Sequence, residues 1–204
     1  MTINIVIPMA GLGERFAKKG YKKIKPLISV KEEPMIRKVI ENLYVPNANW
    51  TFILNKLDSS IELKSIIKNL LPDANILFTE LTDGPARTAL LIKDSVAPGN
   101  LIIINCDQII EDFNVSNLIR FRDLHKADGI LGAFISVSPK MSYMKLDNRG
   151  WVTEVKEKIV ISNIATNGLH FWNKSSDFIS SAEEMIRNEE KYNGEYYIAP
   201  SYNY

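Results

Sequence analysis

The feature that most constrains the fold is a regular alternation between short apolar runs and segments with helical periodicity. Five short, largely apolar runs are typical of strands in the interior of a sheet. They lie at residues 3–7, 51–54, 76–78, 101–104 and 130–137. The helical segments between them begin near Pro34, Leu63, Ala86 and Ser116. Ser116 is the predicted N-cap of its helix. Strands joined by helices form βαβ units, so the sequence predicts an α/β fold with a mainly parallel sheet.

The pattern changes in the last third of the chain. Apolar runs at residues 143–146 and 152–155 flank the turn-forming residues 147–150, which favours a β-hairpin. A further strand is predicted at residues 167–172, and apolar residues at helical spacing over 178–186 predict a last helix. These later strands add an antiparallel portion, and the predicted sheet is therefore mixed.

Composition excludes several classes of protein. The 204 residues suffice for one ordinary domain, and 46% apolar with 24% charged residues is normal for a soluble globular chain. Lys and Arg total 25 against 24 Asp and Glu, and the net charge of +1 argues against binding to nucleic acid. One cysteine and two histidines exclude a disulfide framework, a cysteine-based zinc site and a histidine cluster. No apolar run approaches the roughly 18 residues that span a membrane, and the N-terminus lacks the features of a signal peptide. The chain is therefore expected to be cytoplasmic.

The loop after the first strand has features of a phosphate-binding loop. Small residues let the backbone approach a ligand closely, and successive N–H groups can cradle phosphate. The loop lacks the Gly-Lys-Ser/Thr of a P-loop and the third glycine of a dinucleotide fingerprint. Arg15 and Lys25 follow on the same connected loop and add a planar guanidinium and a mobile ammonium for phosphate oxygens. The residues at the start of this loop are Met9, Ala10, Gly11, Leu12 and Gly13.

Asp107 lies just past the wholly apolar run 101–104. Ligands bind beyond the carboxyl ends of strands in open α/β sheets, where a carboxylate can hold Mg²⁺ against triphosphate oxygens. A helix-capping or turn aspartate is the alternative. Mg²⁺ usually takes one or two protein carboxylates, and Glu195, beside a glycine turn and an aromatic pair, is the candidate for the second. A solvated turn residue is the alternative for Glu195, and Asp177 is a weaker competitor because it fits the first turn of a helix.

Taken in order, these residues resemble a known family. Residues 10–16 (AGLGERF), 25–28 (KPLI) and 34–36 (PMI) are similar to the opening signature of the nucleotidyltransferases that make nucleotide-activated sugars and related phospho-metabolites. Residues 82–88 resemble the family's second nucleotide-contacting loop, and residues 102–108 resemble its metal-carrying strand end.

The resemblance covers roughly residues 3–172 and extends to an acceptor-binding segment, to which residues 154–168 are similar. It implies a Rossmann-like, GT-A-like domain with three α/β/α layers over residues 1–204. Residues 1–137 would form the nucleotide-binding part and residues 138–204 the acceptor-binding part. The acceptor-binding part is expected to be incomplete at its C-terminal end.

The resemblance also implies a reaction and a set of roles. An NTP and a phosphorylated small metabolite would give the NDP-linked metabolite and pyrophosphate, with Mg²⁺ as the cofactor. The implied catalytic residues are Arg15, Lys25 and Asp107, and the implied metal ligands are Asp107 and Glu195. The residues implied to contact the nucleotide are Met9, Ala10, Gly11, Leu12, Gly13, Arg15, Lys25, Thr79, Glu80, Gly84, Ala86 and Asp107. The residues implied to contact the acceptor are Glu157, Lys158 and Asn167.

The form of the motifs favours one branch of this family. Ala-Gly-Leu-Gly followed by Arg-Phe resembles cytidylyltransferases, including choline-phosphate enzymes, more than glucose-1-phosphate thymidylyltransferases. Residues 105–108 and 194–203 resemble a branch associated with bacterial capsule and surface-polysaccharide loci. CTP is the favoured NTP, and the acceptor is left open between a sugar 1-phosphate and a phosphorylated alcohol or amino-acid derivative. The alternatives are a UTP- or dTTP-dependent sugar-1-phosphate pyrophosphorylase and a non-catalytic nucleotide-binding relative. A homodimer is left open.

Other conspicuous residues are predicted to be structural. Cys106 is predicted to be a packed thiol, because a reactive cysteine needs a cationic setting that the sequence does not show. His170 alternates with apolar residues in a strand, and a structural role is favoured. The late tyrosines are predicted to cover the core or form a partner surface rather than a stacking platform. They are Tyr192, Tyr196, Tyr197, Tyr202 and Tyr204.

Overall fold

The computed structural model describes residues 2–57 and 59–204. Within them the chain forms ten strands, six α-helices and three short 3-10 segments. The strands are β1 (Ile3–Met9), β2 (Ser29–Val30), β3 (Glu33–Pro34), β4 (Asn49–Asn55), β5 (Asn75–Thr79), β6 (Asn100–Ile104), β7 (Gly129–Ile135), β8 (Ser142–Leu146), β9 (Val152–Glu157) and β10 (Ile164–Trp172). The helices are α1 (Glu14–Ala17), α2 (Met35–Asn42), α3 (Ser59–Leu70), α4 (Pro85–Ala89), α5 (Val115–His125) and α6 (Ser175–Arg187). The 3-10 segments are Lys25–Leu27, Leu90–Ile92 and Ala199–Asn203. None of these helices is long and apolar enough to cross a membrane.

Eight of the described strands form one central sheet. Strands β5, β4, β1 and β6 lie side by side in that order and pair in parallel. Strand β10 pairs antiparallel with β6, β7 and β8, and β8 pairs antiparallel with β9. Strands β7 and β8 therefore run in the same direction as β6, and β9 and β10 run against it. The predicted mixed, mostly parallel sheet is confirmed.

Alternating side chains of the sheet supply two apolar cores, one on each face. On one face Ile5 and Ile7 of β1 pack with α2 and α3, and on the other face Val6 packs with α4 and α6. The same alternation continues in β6, whose residues 101–104 are all fully buried. Because neighbouring strand residues point to opposite faces, a continuous apolar run requires cover on both sides. Helices on both faces give the three-layer α/β/α arrangement that was predicted.

The last residues of the chain hold the β8–β9 hairpin. Met144 and Val155 of the hairpin form a small third core with Ala199 of the C-terminal 3-10 segment. The backbone N–H of Val155 donates to Asn203 Oδ1 at 2.8 Å, and Asn203 Nδ2 donates to the carbonyl of Val155 at 2.9 Å. The side-chain amide of Asn203 therefore satisfies the N–H and C=O of Val155, which would otherwise lie unpaired at the open edge of the sheet.

Three local features differ from the sequence expectations. Ser116 is not the N-cap of α5, because the side chain of Asn114 takes that role and accepts a hydrogen bond from the Ser116 N–H at 2.8 Å. The helix predicted to begin near Ala86 is short, because it ends at Ala89 and a 3-10 segment begins at Leu90. The short β2–β3 hairpin was not predicted. Its turn places Lys31 and Glu32 at positive φ, where glycine or asparagine is the usual signal.

Candidate active site

The carboxyl ends of four parallel strands meet at one edge of the sheet. Met9 at the end of β1 lies opposite Leu54 of β4, and Asn55 lies opposite Thr79 of β5. Strand β6 pairs with the other side of β1. The loops that follow these four strands therefore emerge together, at the edge where open α/β sheets bind their ligands.

The glycine-containing loop after β1 combines a buried start with an exposed tip. Ala10 is 2% exposed, and its carbonyl accepts a hydrogen bond from Asn55 Nδ2 at 2.9 Å. Gly11 and Leu12 are exposed, and a Cβ on Gly11 would meet nothing within 4 Å. Gly13 is the N-cap of α1 and has a φ of 64°, a left-handed conformation that glycine adopts without strain. The loop thus leaves exposed backbone beside the start of a helix.

Two predicted catalytic side chains, Lys25 and Asp107, form a pair at this edge. Lys25 Nζ lies 2.6 Å from Asp107 Oδ2, and each side chain is 28% exposed. Lys25 begins the 3-10 segment that buried Pro26 and Leu27 anchor. Asp107 follows Cys106, whose side chain packs in the core. Burial of these neighbours holds both charged groups beside the end of β6 and leaves them partly open to solvent.

The second carboxylate oxygen of Asp107 has features of a ligand-binding atom. Asp107 Oδ1 is buried and has no hydrogen-bond partner among the described residues. A buried acceptor without a donor is costly unless a cation or a donor satisfies it. Mg²⁺ fits this oxygen, since it binds through one or two carboxylates together with phosphate oxygens and water. Within residues 2–57 and 59–204, no three His, Cys, Asp or Glu side chains cluster to hold a metal ion.

Arg15 lies in α1, directly after the glycine-containing loop. It is exposed and forms no ion pair with another described residue, whereas its neighbour Glu14 lies 3.4 Å from Lys18. Phe16, on the same short helix, has its ring centre 5.9 Å from Lys25 Nζ. Helix α1 therefore carries an available guanidinium and lies beside the lysine of the Lys25–Asp107 pair.

The loop after β5 begins beside β4. Thr79 is half-buried at the end of β5, and its carbonyl accepts a hydrogen bond from the Lys56 N–H at 3.1 Å. Glu80 is exposed, and its Oε1 lies 3.1 Å from Lys56 Nζ. Both predicted nucleotide residues therefore lie at the edge of the sheet, near the loop that follows β4.

Gly84, farther along this loop, packs against the C-terminal segment. It is buried with a φ of 126°, and a Cβ there would lie 2.4 Å from the backbone N and O of Tyr196. The N–H of buried Ala86 donates to the carbonyl of Tyr196 at 3.0 Å. Close packing thus requires a glycine at residue 84, whether or not it also contacts a nucleotide.

Glu157 and Lys158 lie at the end of β9 in a polar network. Glu157 Oε1 lies 2.9 Å from Lys158 Nζ, and Glu157 Oε2 accepts a hydrogen bond from Ser142 Oγ. Lys158 has a φ of 53°, and its Nζ lies 3.7 Å from the ring centre of Tyr197. Burial alone would lower the pKa of Lys158, but hydrogen bonds to Tyr197 and Glu157 outweigh it and raise the pKa above its ordinary value. Lys158 is therefore a firmly held cation of the kind that binds a phosphate.

Asn167 lies at an irregularity of β10. The register with β7 shifts within residues 166–170, and Asn167 Oδ1 accepts a hydrogen bond from the Leu169 N–H at 3.1 Å. Gly168 has a φ of 85°, and a Cβ there would lie 2.6 Å from Asn105 Nδ2. The irregularity therefore brings the Asn167 segment beside the loop that carries Asp107, as bulges near active sites often do.

Glu195 is linked to Lys158 through Tyr197. It is exposed, its Oε2 accepts a hydrogen bond from Tyr197 Oη at 2.5 Å, and its backbone pairs with that of Tyr192. Tyr197 in turn contacts Lys158. These contacts associate Glu195 with the end of β9, and its role as a metal ligand stays a prediction.

Sequence reasoning missed three partners of the predicted acceptor-binding residues. Ser142 hydrogen-bonds Glu157, and the rings of Tyr192 and Tyr197 lie 5.0 and 3.7 Å from Lys158 Nζ. These contacts join segments that are distant in the sequence, so no local pattern signals them. The cluster of tyrosines after residue 190 was the available clue, but these residues were predicted to cover the core or to form a partner surface.

The structural predictions for the remaining conspicuous residues are confirmed. Cys106 is 8% exposed, and burial raises the pKa of its thiol to about 11, although the charge of Lys25 acts in the opposite direction. Tyr196 and Tyr202 pack in or against the core on the α6 face of the sheet. His170 is buried in β10.

Comparison with known proteins agrees with this arrangement. The nucleoside-diphosphate-sugar pyrophosphorylase from Vibrio cholerae RC9 is 26% identical with a TM-score of 0.81, over 98% of this chain and 86% of that chain. The fold is also that of a UDP-glucose pyrophosphorylase complexed with UDP-glucose, at 14% identity and a TM-score of 0.76, over 100% of this chain and 86% of that one. The inositol-1-phosphate CTP transferase from T. maritima has 13% identity and a TM-score of 0.71, over 99% of this chain and 80% of that one. No curated protein gives a significant match.

The family comparison extends over almost the whole chain. Residues 5–197 match the family described as Nucleotidyl transferase. The matched range contains the glycine-containing loop, the Lys25–Asp107 pair and the segment around Lys158. The chain therefore belongs to the Nucleotidyl transferase family and is a nucleotidyltransferase.

Proposed function

We propose that this enzyme transfers a nucleotidyl group from an NTP to the phosphate of a small phosphorylated metabolite, with Mg²⁺ as cofactor and release of pyrophosphate. A sugar 1-phosphate is the favoured acceptor, since two of the similar structures are pyrophosphorylases named for a nucleoside-diphosphate sugar and for UDP-glucose. A phosphorylated alcohol or amino-acid derivative is the second choice. The observation that carries the proposal is the 2.6 Å contact of Lys25 with Asp107 at the edge where β1 and β6 end.

The reaction needs little covalent help from the protein. An oxygen of the acceptor phosphate attacks the α-phosphorus of the NTP and forms a new P–O bond. The bond between the α-phosphorus and the oxygen that bridges to the β-phosphate breaks, and pyrophosphate leaves with that electron pair. The attacking oxygen is already anionic, so no protein nucleophile or strong base is required. The enzyme has to align two polyanions and stabilise the developing charge.

The nucleotide side of the site would supply that alignment. Lys25 would stabilise charge around the α-phosphate, and exposed Arg15 would bind the leaving pyrophosphate. The backbone of residues 9–13 would contact the phosphates and the base. The remaining residues assigned to the nucleotide are Thr79, Glu80, Gly84 and Ala86.

Asp107 would hold Mg²⁺ through its buried, unpaired Oδ1, with Glu195 as the proposed second ligand. When bound, the ion would neutralise charge on the phosphate oxygens. Asp107 itself keeps Lys25 Nζ within 2.6 Å of its other oxygen, which orients the lysine toward the same region.

The acceptor side of the site would hold the second substrate. Lys158 would bind the acceptor phosphate, and Glu157 and Asn167 would bind its hydroxyl groups. In this assignment residues 1–137 form the nucleotide part and residues 138–204 the acceptor part of one domain.

We favour CTP as the nucleotide because residues 10–16 resemble cytidylyltransferases, and an inositol-1-phosphate CTP transferase has the same fold. UTP and dTTP are the next candidates. The resemblance of residues 105–108 and 194–203 favours a product used in capsule or surface-polysaccharide synthesis.

The test is pyrophosphate release from CTP, UTP and dTTP, each with Mg²⁺ and a panel of acceptors. The panel contains hexose 1-phosphates, inositol 1-phosphate, phosphocholine and a phosphoserine. Release with CTP and a sugar phosphate is the expected result, and the CDP-linked product is identified by mass spectrometry. Preference for UTP or dTTP would replace the CTP assignment. Light scattering on the same sample tests for a homodimer.

If the wild-type protein releases no pyrophosphate, a second measurement is needed to detect nucleotide binding. A ligand at about 100 times its Kd stabilises a protein by about 2.7 kcal/mol, which is a readily measured thermal shift. An NTP- and Mg²⁺-dependent shift without any pyrophosphate release would contradict catalysis and leave the non-catalytic nucleotide-binding relative.

A further inference from the structure

Residues 191–197, which we call the C-terminal strap, contact both the loop after β5 and the lysine at the end of β9. These two regions are far apart in the sequence and carry predicted nucleotide and acceptor residues, respectively. The strap therefore has the position needed to set one substrate site relative to the other.

At its nucleotide end, the strap is bonded through its backbone. The N–H of Tyr196 donates to the carbonyl of Asp83 at 2.8 Å, and the carbonyl of Tyr196 accepts from the Ala86 N–H at 3.0 Å. Gly84 lies between these two bonds, so close to Tyr196 that a side chain would not fit. Lys191 Nζ reinforces the contact, since it lies 3.2 Å from Asp83 Oδ2.

The ring of Tyr196 completes this attachment. Lys191 Nζ lies 4.5 Å and Arg87 Cζ lies 5.3 Å from the ring centre. Asp83 pairs with both cations, and their hydrogen bonds outweigh the opposing effect of burial and hold the pKa of its carboxyl below the ordinary value. The loop after β5 and the strap are thus joined by backbone, ring and charge contacts together.

At its acceptor end, the strap encloses the ammonium of Lys158. Nζ lies 3.7 Å from the ring centre of Tyr197 and 5.0 Å from that of Tyr192. Tyr197 Oη donates to Glu195 Oε2 at 2.5 Å, which fixes the ring, and Glu157 Oε1 lies 2.9 Å from the ammonium. The Lys158 side chain is 18% exposed. An ammonium held by ring faces and one carboxylate has little rotational freedom left.

We propose that Tyr197 is a positioning residue for acceptor binding. Its ring face holds the ammonium of Lys158 in place. Because Tyr197 belongs to the strap, it also fixes the position of Lys158 relative to the loop after β5. This inference rests on the proposed function, in which Lys158 binds the acceptor phosphate. A long lysine side chain loses conformational entropy when it binds a ligand, and a lysine that is already ordered loses less. Preorganisation of Lys158 therefore strengthens acceptor binding and leaves nucleotide binding unchanged.

The test compares Tyr197→Leu and Tyr197→Phe with a matched control. Tyr197→Leu removes the ring face, and we expect the acceptor KM to rise about tenfold, because a free lysine side chain must then be ordered when the acceptor binds. The Kd of the NTP and the thermal midpoint should stay near their wild-type values. Tyr197→Phe keeps the ring face but loses the hydroxyl that contacts Lys158 and Glu195, so its acceptor KM should lie between those of wild type and Tyr197→Leu. Tyr204 is the control, because its hydroxyl also donates to a glutamate, Glu190, at 2.9 Å, and Tyr204→Leu should leave the acceptor KM unchanged.

Two outcomes would overturn the proposal. An acceptor KM that does not change in Tyr197→Leu would show that the ring does not position Lys158. An equal loss of NTP affinity, acceptor affinity and thermal midpoint would show that Tyr197 only stabilises the fold.

A measurement that needs no activity separates this proposal from the proposed function. Reductive methylation, followed by peptide mass spectrometry, reports the accessibility and freedom of each lysine. In Tyr197→Leu, Lys158 should be methylated about threefold faster than in wild type, and in Tyr204→Leu it should react at the wild-type rate. If the wild-type protein releases no pyrophosphate but Lys158 becomes more reactive as expected, the proposed function fails while the contact between Tyr197 and Lys158 holds. If activity is present and the reactivity of Lys158 does not change, the positioning proposal fails alone.

A substitution of Gly84 tests whether the strap couples the nucleotide site to the acceptor site. Gly84→Ala would place a Cβ against the backbone of Tyr196 at a φ of 126°, so the strap must shift. We expect the acceptor KM to rise by at least about threefold as well, although Gly84 lies in the nucleotide loop. A change confined to NTP affinity would show that the strap does not couple the two sites. If Gly84→Ala does not fold, the Tyr197 variants decide the proposal.

Discussion

At the scale of single residues, the proposed mechanism depends on the ion pair between Lys25 and Asp107. Each side chain is partly exposed, and each is anchored by a buried neighbour, Leu27 or Cys106. A triphosphate would compete with Asp107 for the ammonium, while Asp107 Oδ1 has no partner among the described residues. The pair is therefore suited to separate when polyanions and a divalent cation enter the site.

We expect Lys25→Ala to lower kcat by about two to three orders of magnitude, the usual cost of removing one preorganised group that stabilises transition-state charge. The fold should stay intact, because the Lys25 side chain is not in the apolar core. Steady-state kinetics and a thermal midpoint test this. Lys23→Ala is the matched control from the same lysine-rich segment, since Lys23 forms an exposed pair with Glu62. A kcat near the wild-type value in Lys25→Ala would remove Lys25 from the mechanism.

We expect Asp107→Asn to raise the Mg²⁺ concentration for half-maximal activity at least about tenfold, because an amide keeps the shape but loses the charge that binds the ion. Stability should change by about 1 kcal/mol or less, as for other partly exposed ion pairs. A Mg²⁺ titration of pyrophosphate release measures the effect. Asp112→Asn, at an exposed loop position, should leave the titration unchanged. Unfolding of Asp107→Asn would instead identify Asp107 as a structural turn residue.

At the scale of elements, helix ends show how two neighbouring polar residues take different roles. Helix α5 begins after Asn114, whose extended backbone lets Oδ1 accept the N–H of Ser116. Ser116 lies within the first turn, where its own hydroxyl is exposed to solvent. Only one of the two side chains can satisfy the first free N–H groups of the helix.

Asn114→Ala should therefore destabilise the protein by about 1 kcal/mol, the typical value of an N-cap, and lower the thermal midpoint by about 2–4 °C. Ser116→Ala should change stability by less than about 0.5 kcal/mol. Urea unfolding of both variants provides the comparison. A larger loss in Ser116→Ala than in Asn114→Ala would contradict the capping seen in the structure.

At the scale of the whole molecule, the central sheet buries the imidazole of His170 in the middle of β10. His170 is 4% exposed, and burial lowers the pKa of its ring to about 4, against a smaller opposing effect of the backbone at Ile103 and Gly168. The folded state therefore binds fewer protons than the unfolded state between pH 4 and pH 6.5. Stability from His170 is complete above this range and is lost as the pH falls through it.

We expect this histidine to account for about 2 kcal/mol of the stability lost between pH 7 and pH 4.5. Urea unfolding at the two pH values measures the loss in wild type and in His170→Leu, which should lose correspondingly less. His125→Leu is the control, since His125 is exposed on α5 and should keep the wild-type pH dependence. Equal pH dependence in wild type and His170→Leu would show that the buried ring does not contribute.

The sequence by itself determined the chain order of the central-sheet strands and of the helices between them, the fold class and the loops that carry the predicted nucleotide residues. These features follow from local patterns, because a buried strand such as residues 101–104 needs apolar side chains on both faces. A left-handed turn such as Gly13 is likewise marked by its residue type. Hence the position of Asp107 after a buried strand could be read directly from the chain.

Only the tertiary structure decided which of these residues touch. The contacts of Lys25 with Asp107, of Gly84 with Tyr196 and of Lys158 with Tyr197 each join segments that are distant in the sequence. Sequence periodicity does not predict the contacts of lysines and tyrosines outside the core. Their long side chains can lie in solvent, form ion pairs or pack against ring faces. Packing of the sheet and the C-terminal residues selects one of these environments, and that selection is a property of the folded chain alone.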